Sequence, residues 1–181
     1  MLSNKANTDG VSLKIEWIEI CSFANELETC MYAGAEKTAD GNIRGWSEYK
    51  PKEWGEKSIF SLKQDTRMLD ENIAQLGTKK YVELFKKHNV DAKNIDWFLP
   101  HISSEYFRKK VDDEMKKYGV ELPQEKWFVN LASVGNIGAA SIFIALGELM
   151  NSGKLKKGQK IALTIPESAR FSYANVLLTV V

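Results

Sequence analysis

Cysteine, histidine and proline are scarce here, at two, two and four of 181 residues. Neither Cys21 nor Cys30 has a companion Cys or His at zinc-ligand spacing, so a disulfide framework and a zinc module are both excluded, and no metal is expected. Two reduced thiols with a packing role are the expectation. Long apolar runs are missing as well. No uncharged stretch approaches the ~18 residues of a membrane span, and the opening segment Met1 to Gly10 has no apolar core of a secretory signal, so the reading is cytoplasmic with no membrane contact. Charge of one sign is also lacking. The 25 Lys and Arg nearly cancel the 24 Asp and Glu, leaving a formal net of +1, so no whole-molecule field attracts nucleic acid. A polyanionic partner would have to meet a local patch.

What is present describes one globular unit. The length is close to a single domain of ~150 residues, and 44% hydrophobic with 27% charged residues is too apolar for a disordered chain. Ser12 to Ile20 alternates, with Leu13, Ile15 and Trp17 on one side, and reads as a strand. Residues 21–57 carry Gly34, Gly41, Gly45 and Pro51 among charges and two tryptophans, and are expected to form an inserted lobe over a site or interface. Ser58 to Lys63 reads as a short strand. Leu69, Ile73, Leu76, Tyr81, Leu84 and Phe85 then stripe a long helix ending near Asn89. Ile95 to Leu99 is a short apolar run closed by Pro100 and His101, after which Ser103 or Ser104 can cap a helix ending at Gly119. Trp127 to Leu131 reads as a strand, residues 133–138 as a turn into a helix reaching Met150, and Gln159 to Ile165 and Phe171 to Val181 as two closing strands. Strands and helices alternate, which implies an α/β fold with a mixed sheet covered by helices on both faces.

Ligands of open α/β sheets gather beyond the carboxyl ends of strands, and His101 and Asn136 both occupy such positions. Taken singly, each has an ordinary structural reading: a satisfied imidazole, and an amide that forms a turn or cap.

Taken together, Ile95-Asp96-Trp97-Phe98-Leu99-Pro100-His101 and Gly135-Asn136-Ile137-Gly138-Ala139-Ala140-Ser141 resemble, in order and spacing, the His and Asn motifs of β-ketoacyl-ACP synthase III, a ketosynthase of the thiolase fold. The resemblance runs from about Ser12 to the C-terminus and includes the segment from Ser152 to Gln159. It implies a thiolase-like half and decarboxylative condensation of an acyl thioester with malonyl-ACP, in fatty acid or related biosynthesis. His101 and Asn136 would be the catalytic pair, with acyl carrier protein as partner, homodimerisation of the complete enzyme, and no cofactor beyond CoA or carrier-protein thioesters. The family's nucleophilic cysteine sits far upstream of the His motif. Cys30, within Thr29-Cys30-Met31-Tyr32-Ala33-Gly34, only superficially resembles it, since no apolar helix follows to offer an N-terminal dipole. The expectation is therefore a C-terminal half, inactive alone, completed by a missing N-terminal half or a partner chain.

The sequence departs from the family pattern in two places. After His101 the family has Gln-Ala-Asn, whereas this chain reads Ile102-Ser103-Ser104, and Ser104 is the candidate for a shorter-reaching substrate contact. Where the family has a glycine-rich loop supplying an oxyanion donor, this chain has Ile165-Pro166-Glu167-Ser168-Ala169-Arg170-Phe171, so a backbone N–H of Ser168 or Ala169 is the candidate substitute. Arg108, Lys109 and Lys110 are the candidate carrier-protein docking residues, set against the reading of a solvated face offset by Asp112, Asp113 and Glu114. Two alternatives stay open: a non-catalytic partner subunit of a split ketosynthase, and a thiolase-fold acyltransferase to an oxygen or nitrogen acceptor with His101 as general base.

Overall fold

Alternation near the N-terminus produces the first long strand, β1 (Leu13–Ser22), in a computed structural model that describes residues 2–181. A bulge between Ile15 and Trp17 corrects the expected facing. Because side chains alternate with period two, one extra residue transfers everything after it to the other face. Trp17 thus packs on the cluster around Phe98, while Leu13 packs on the cluster around Leu163.

Five short elements follow: β2 (Met31–Tyr32), β3 (Ala35–Lys37), β4 (Ile43–Gly45), α1 (Pro51–Glu56) and β5 (Lys63–Gln64). β2 pairs with β5 and β3 with β4, both antiparallel. The strand expected over Ser58 to Lys63 shrinks to its last residue. Residues 57–60 turn instead, and Ser58 has a φ of 46°, which extended backbone does not adopt. Trp54 makes edge contacts with Trp46 and Phe60, an aromatic nucleus for these small ribbons.

The long helix, α2 (Thr66–Lys87), begins where the Asp65 carboxylate accepts the Met68 N–H and ends before Asn89 at a φ of 52°. Its apolar stripe buries Leu69, Tyr81, Leu84 and Phe85 as the periodicity requires. β6 (Trp97–Pro100) then runs parallel to β7 (Lys160–Glu167), which is antiparallel to β8 (Ser172–Val180), and β8 pairs antiparallel with β1. Asp96 sets the β6–β7 register. Its N–H donates to the Lys160 carbonyl at 3.0 Å and its carboxylate accepts the Lys160 N–H at 2.8 Å. Pro100 is tolerated because β6 is the edge of the four-strand ladder.

After β6 come α3 (Glu105–Lys117), α4 (Leu131–Val134) and α5 (Ser141–Asn151). The strand expected over Trp127 to Leu131 is absent: Phe98 and Trp127 form one isolated parallel bridge, and Leu131 already belongs to α4. The Trp127 indole donates to the Leu122 carbonyl at 2.8 Å, which draws the ring into the core and the chain off the ladder. Successive residues of the central strands point to opposite layers. Phe98, Ala162 and Leu177 pack with Tyr81 and Phe85 of α2 and Met115 of α3, whereas Leu99, Leu163 and Leu178 pack with Ile142, Ala145 and Leu149 of α5. The fold is the expected mixed sheet covered by helices on both faces.

Candidate active site

The β6–β7 ladder continues one residue past β6, where the His101 N–H donates to the Thr164 carbonyl at 2.9 Å. His101 therefore sits at the carboxyl end of a strand on a hydrogen-bonded backbone. Its side chain is half-buried, and burial pushes the imidazolium below the usual histidine range. It lines two cavities. One, of about 20 Å³, lies toward α5 and is shared with Phe128, Asn130, Gly135, Ser141 and Ile142. The other, of about 30 Å³, lies toward α2 and α3 and is shared with Thr78, Tyr81, Met115 and Tyr173.

The loop carrying Asn136 turns at Gly135, whose φ of 81° suits a residue without Cβ. The Ser141 hydroxyl accepts the Ile137 N–H at 3.1 Å, and the Asn136 carboxamide oxygen accepts the Gly138 N–H at 3.0 Å. Gly135 and Ser141 are thereby brought to the His101 cavity, while Asn136, next in the chain to Gly135, is exposed and not on that wall. With its oxygen tied to Gly138, the Asn136 carboxamide is left with its Nδ2 hydrogens as donors.

The remaining candidates have local partners. Ser104 is the N-cap of α3, its hydroxyl accepting the Tyr106 N–H at 3.3 Å, and it lines neither cavity. The Ser168 hydroxyl accepts the Gln64 amide at 3.3 Å and faces the Met31 sulfur at 3.8 Å. The Ala169 N–H does not offer the free donor expected of the β7–β8 turn, because the Glu167 carboxylate accepts it at 2.5 Å and accepts the Arg170 N–H at 3.2 Å. Arg108 donates to Gln124 and lies 3.7 Å from Glu105, Lys109 pairs with Asp113, and Lys110 pairs with Asp70, so each cation of the docking candidates faces an acid. Cys30 is fully buried and donates to the Asp65 carbonyl at 3.3 Å. Burial pushes both Cys30 and Cys21 thiols up, away from the reactive thiolate.

Sequence reasoning missed the second cavity and the Glu167 clamp. Gly77 within a helical stripe was the available signal for the first, since such a glycine marks a close approach of another group. The clamp had none, because an exposed Glu in a turn is ordinary.

The model of the family described as 3-Oxoacyl-[acyl-carrier-protein (ACP)] synthase III C terminal matches residues 85–175, a span that holds both His101 and Asn136. The chain belongs to this synthase III C-terminal family. A similar curated protein is the beta-ketoacyl-[acyl-carrier-protein] synthase III of Clostridium perfringens, 36% identical over 98 residues that cover 54% of this chain and 26% of that protein. Among solved structures, the 3-oxoacyl-[acyl-carrier-protein] synthase III of Aquifex aeolicus superposes with a TM-score of 0.63 at 23% identity, covering 96% of this chain and 46% of the other. AbyA1, a tetronic acid condensing enzyme, superposes at 0.69 and 13% identity, covering 92% and 45%. The synthase III C-terminal chain described here thus spans under half the length of these relatives, and its fold is a thiolase-like half.

Proposed function

We propose that this chain supplies the His–Asn half of a synthase III-type condensing enzyme acting on an acyl thioester and malonyl-ACP. The observation that carries the reading is His101 at the carboxyl end of β6, facing one cavity with Gly135 of the Asn136 loop and Ser141 at the start of α5. Loss of CO2 from a malonyl thioester breaks the bond between the carboxylate and the methylene carbon, and the electron pair moves onto the thioester oxygen as an enolate. A neutral imidazole N–H and the Nδ2 of Asn136 are the donors for that oxygen. The enolate carbon then attacks an acyl-cysteine thioester, and the thiolate leaves. The thioesters carry every reactive group, so no cofactor is invoked.

The buried Cys30 is unsuited to the nucleophile's role, and Cys21 lies within β1, so the thiol is assigned to an N-terminal half or a partner chain. The α5 layer supports such a companion. Ile15, Ile18 and Ile20 of β1 pair with Leu178, Val176 and Ala174 on the sheet face that α5 covers. They are 43%, 53% and 75% exposed, and Phe143 of α5 is 74% exposed. Apolar side chains so gathered on one layer mark a surface that a second body covers. Acyl carrier protein as substrate carrier, homodimerisation of the complete enzyme and a cytoplasmic setting belong to the same reading. Among the described residues, no helix is long and apolar enough to cross a membrane.

One observation favours a second reading, a non-catalytic partner subunit: the Glu167 carboxylate occupies the N–H that an acyl oxyanion would need. Reconstitution with a cysteine-bearing half, assayed for CO2 release from malonyl-ACP, separates the two. Asn136→Ala should slow release by ~10²–10³-fold under the condensing reading. An unchanged rate would overturn it.

A further inference from the structure

The cavity on the α2 and α3 side of His101 contains a polar group that the proposed reaction does not use. Tyr81 is 1% exposed and lines this cavity, yet its hydroxyl meets no hydrogen-bond partner among the described residues. Buried hydroxyls are almost always satisfied, because leaving one unpaired forfeits its hydration without compensation. Thr78, one turn earlier on α2 and itself buried, and Thr164, whose carbonyl holds the His101 backbone, lie on the same wall. The space of about 30 Å³ admits a water, which needs two or more polar partners to reside there.

Two other polar groups lie on that wall: the Tyr173 hydroxyl, already committed to the Ile73 carbonyl, and His101, which borders both cavities. Its ring nitrogens make no hydrogen bond to another described side chain, so nothing in the direct contacts selects which nitrogen carries the proton. An imidazole that donates toward one cavity has its tautomer set by what its other nitrogen meets.

We propose that a water in this cavity joins the Tyr81 hydroxyl to the His101 imidazole, making Tyr81 a positioning residue that selects one tautomer. The inference deepens the reading of His101 as a donor, but its test does not require that reaction. The chain has only two histidines, His88 and His101, so a histidine-selective ¹⁵N spectrum holds two ring systems, and His88→Gln assigns them. At a pH where both rings are neutral, the Nδ1 and Nε2 shifts report the tautomer ratio directly. Tyr81→Phe keeps the ring and removes only the hydroxyl. It should move the His101 ratio roughly threefold or more away from the value in the unaltered chain while the His88 signals stay in place. Unchanged His101 shifts in folded Tyr81→Phe would overturn the proposal, whatever reaction the complete protein performs. Should that variant not fold, magnetisation transfer from water to the Tyr81 hydroxyl and His101 ring protons in the unaltered chain decides the matter. Transfer to both supports the link, and absence from either overturns it.

Discussion

Gly77 of α2 lies so close to Tyr173 of β8 that a methyl group built on it would stand 2.6 Å from Cε1 and 3.1 Å from Cδ1 of the ring. Nor can the ring simply swing away, because its hydroxyl donates to the Ile73 carbonyl one turn earlier on the same helix, at 3.0 Å. Two opposed effects therefore meet in Gly77→Ala. Alanine favours the helix by roughly 1 kcal/mol, while forcing a methylene-sized group into a packed site costs typically 1–3 kcal/mol. The clash wins, and urea denaturation should show a net loss of about 1 kcal/mol. Truncating the ring in Gly77→Ala/Tyr173→Leu should reverse the sign of the Gly77 effect relative to Tyr173→Leu alone.

The His101 imidazole gives the chain an acid-side penalty. Burial lowers its folded-state pKa below the ordinary 6.5, so between those two values the unfolded chain binds more protons and stability rises with pH. Above 6.5 both states are neutral and the effect is gone; below it the penalty grows until the folded imidazole also protonates. Denaturation midpoints measured from pH 5 to 8 should show a shallower slope below pH 6.5 in His101→Gln than in the unaltered chain.

The Glu167 clamp predicts a local effect. Glu167→Ala releases the Ala169 and Arg170 N–H groups to solvent, and an exposed pair of this kind contributes about 1 kcal/mol at most. Hydrogen exchange of those two amides should quicken by an order of magnitude or so while the β7–β8 ladder amides keep their protection. Unaltered exchange would mean the turn is held by its backbone alone.

The bare α5 layer predicts self-association of the isolated chain. Ile20→Lys and Phe143→Lys, at positions 75% and 74% exposed, should lower the light-scattering mass at a given concentration. Stability should change by only about 0.5 kcal/mol, because neither side chain is packed. The same variants should weaken binding of a cysteine-bearing half.

Much of this architecture was legible in the residues. The α2 stripe, the stops at Asn89 and Gly119, the β7 and β8 runs and a serine cap at Ser103 or Ser104, which falls on Ser104, all follow from local periodicity and turn chemistry, which depend on near neighbours in the chain. The elements that went astray, the phase of β1 and the strand expected over Trp127 to Leu131, depend on distant partners. A bulge is set by the β8 register, and the Trp127 segment leaves the ladder because its indole is claimed by Leu122 and the core. For the site, the motifs indicated His101 and Asn136 but not what surrounds them.

The sequence by itself determined the alternation of strands and helices, the near-neutral charge, and the two motifs that bear the candidate imidazole and carboxamide, since these are properties of composition and short-range order. Tertiary structure alone decided that His101 stands between two cavities, that Asn136 spends its oxygen on Gly138, that Glu167 fills its own turn, and that each cation of the proposed docking helix faces an acid. The physical reason is that hydrogen bonds and cavities belong to pairs and groups of residues in space, and most of those neighbours are separated by long stretches of chain.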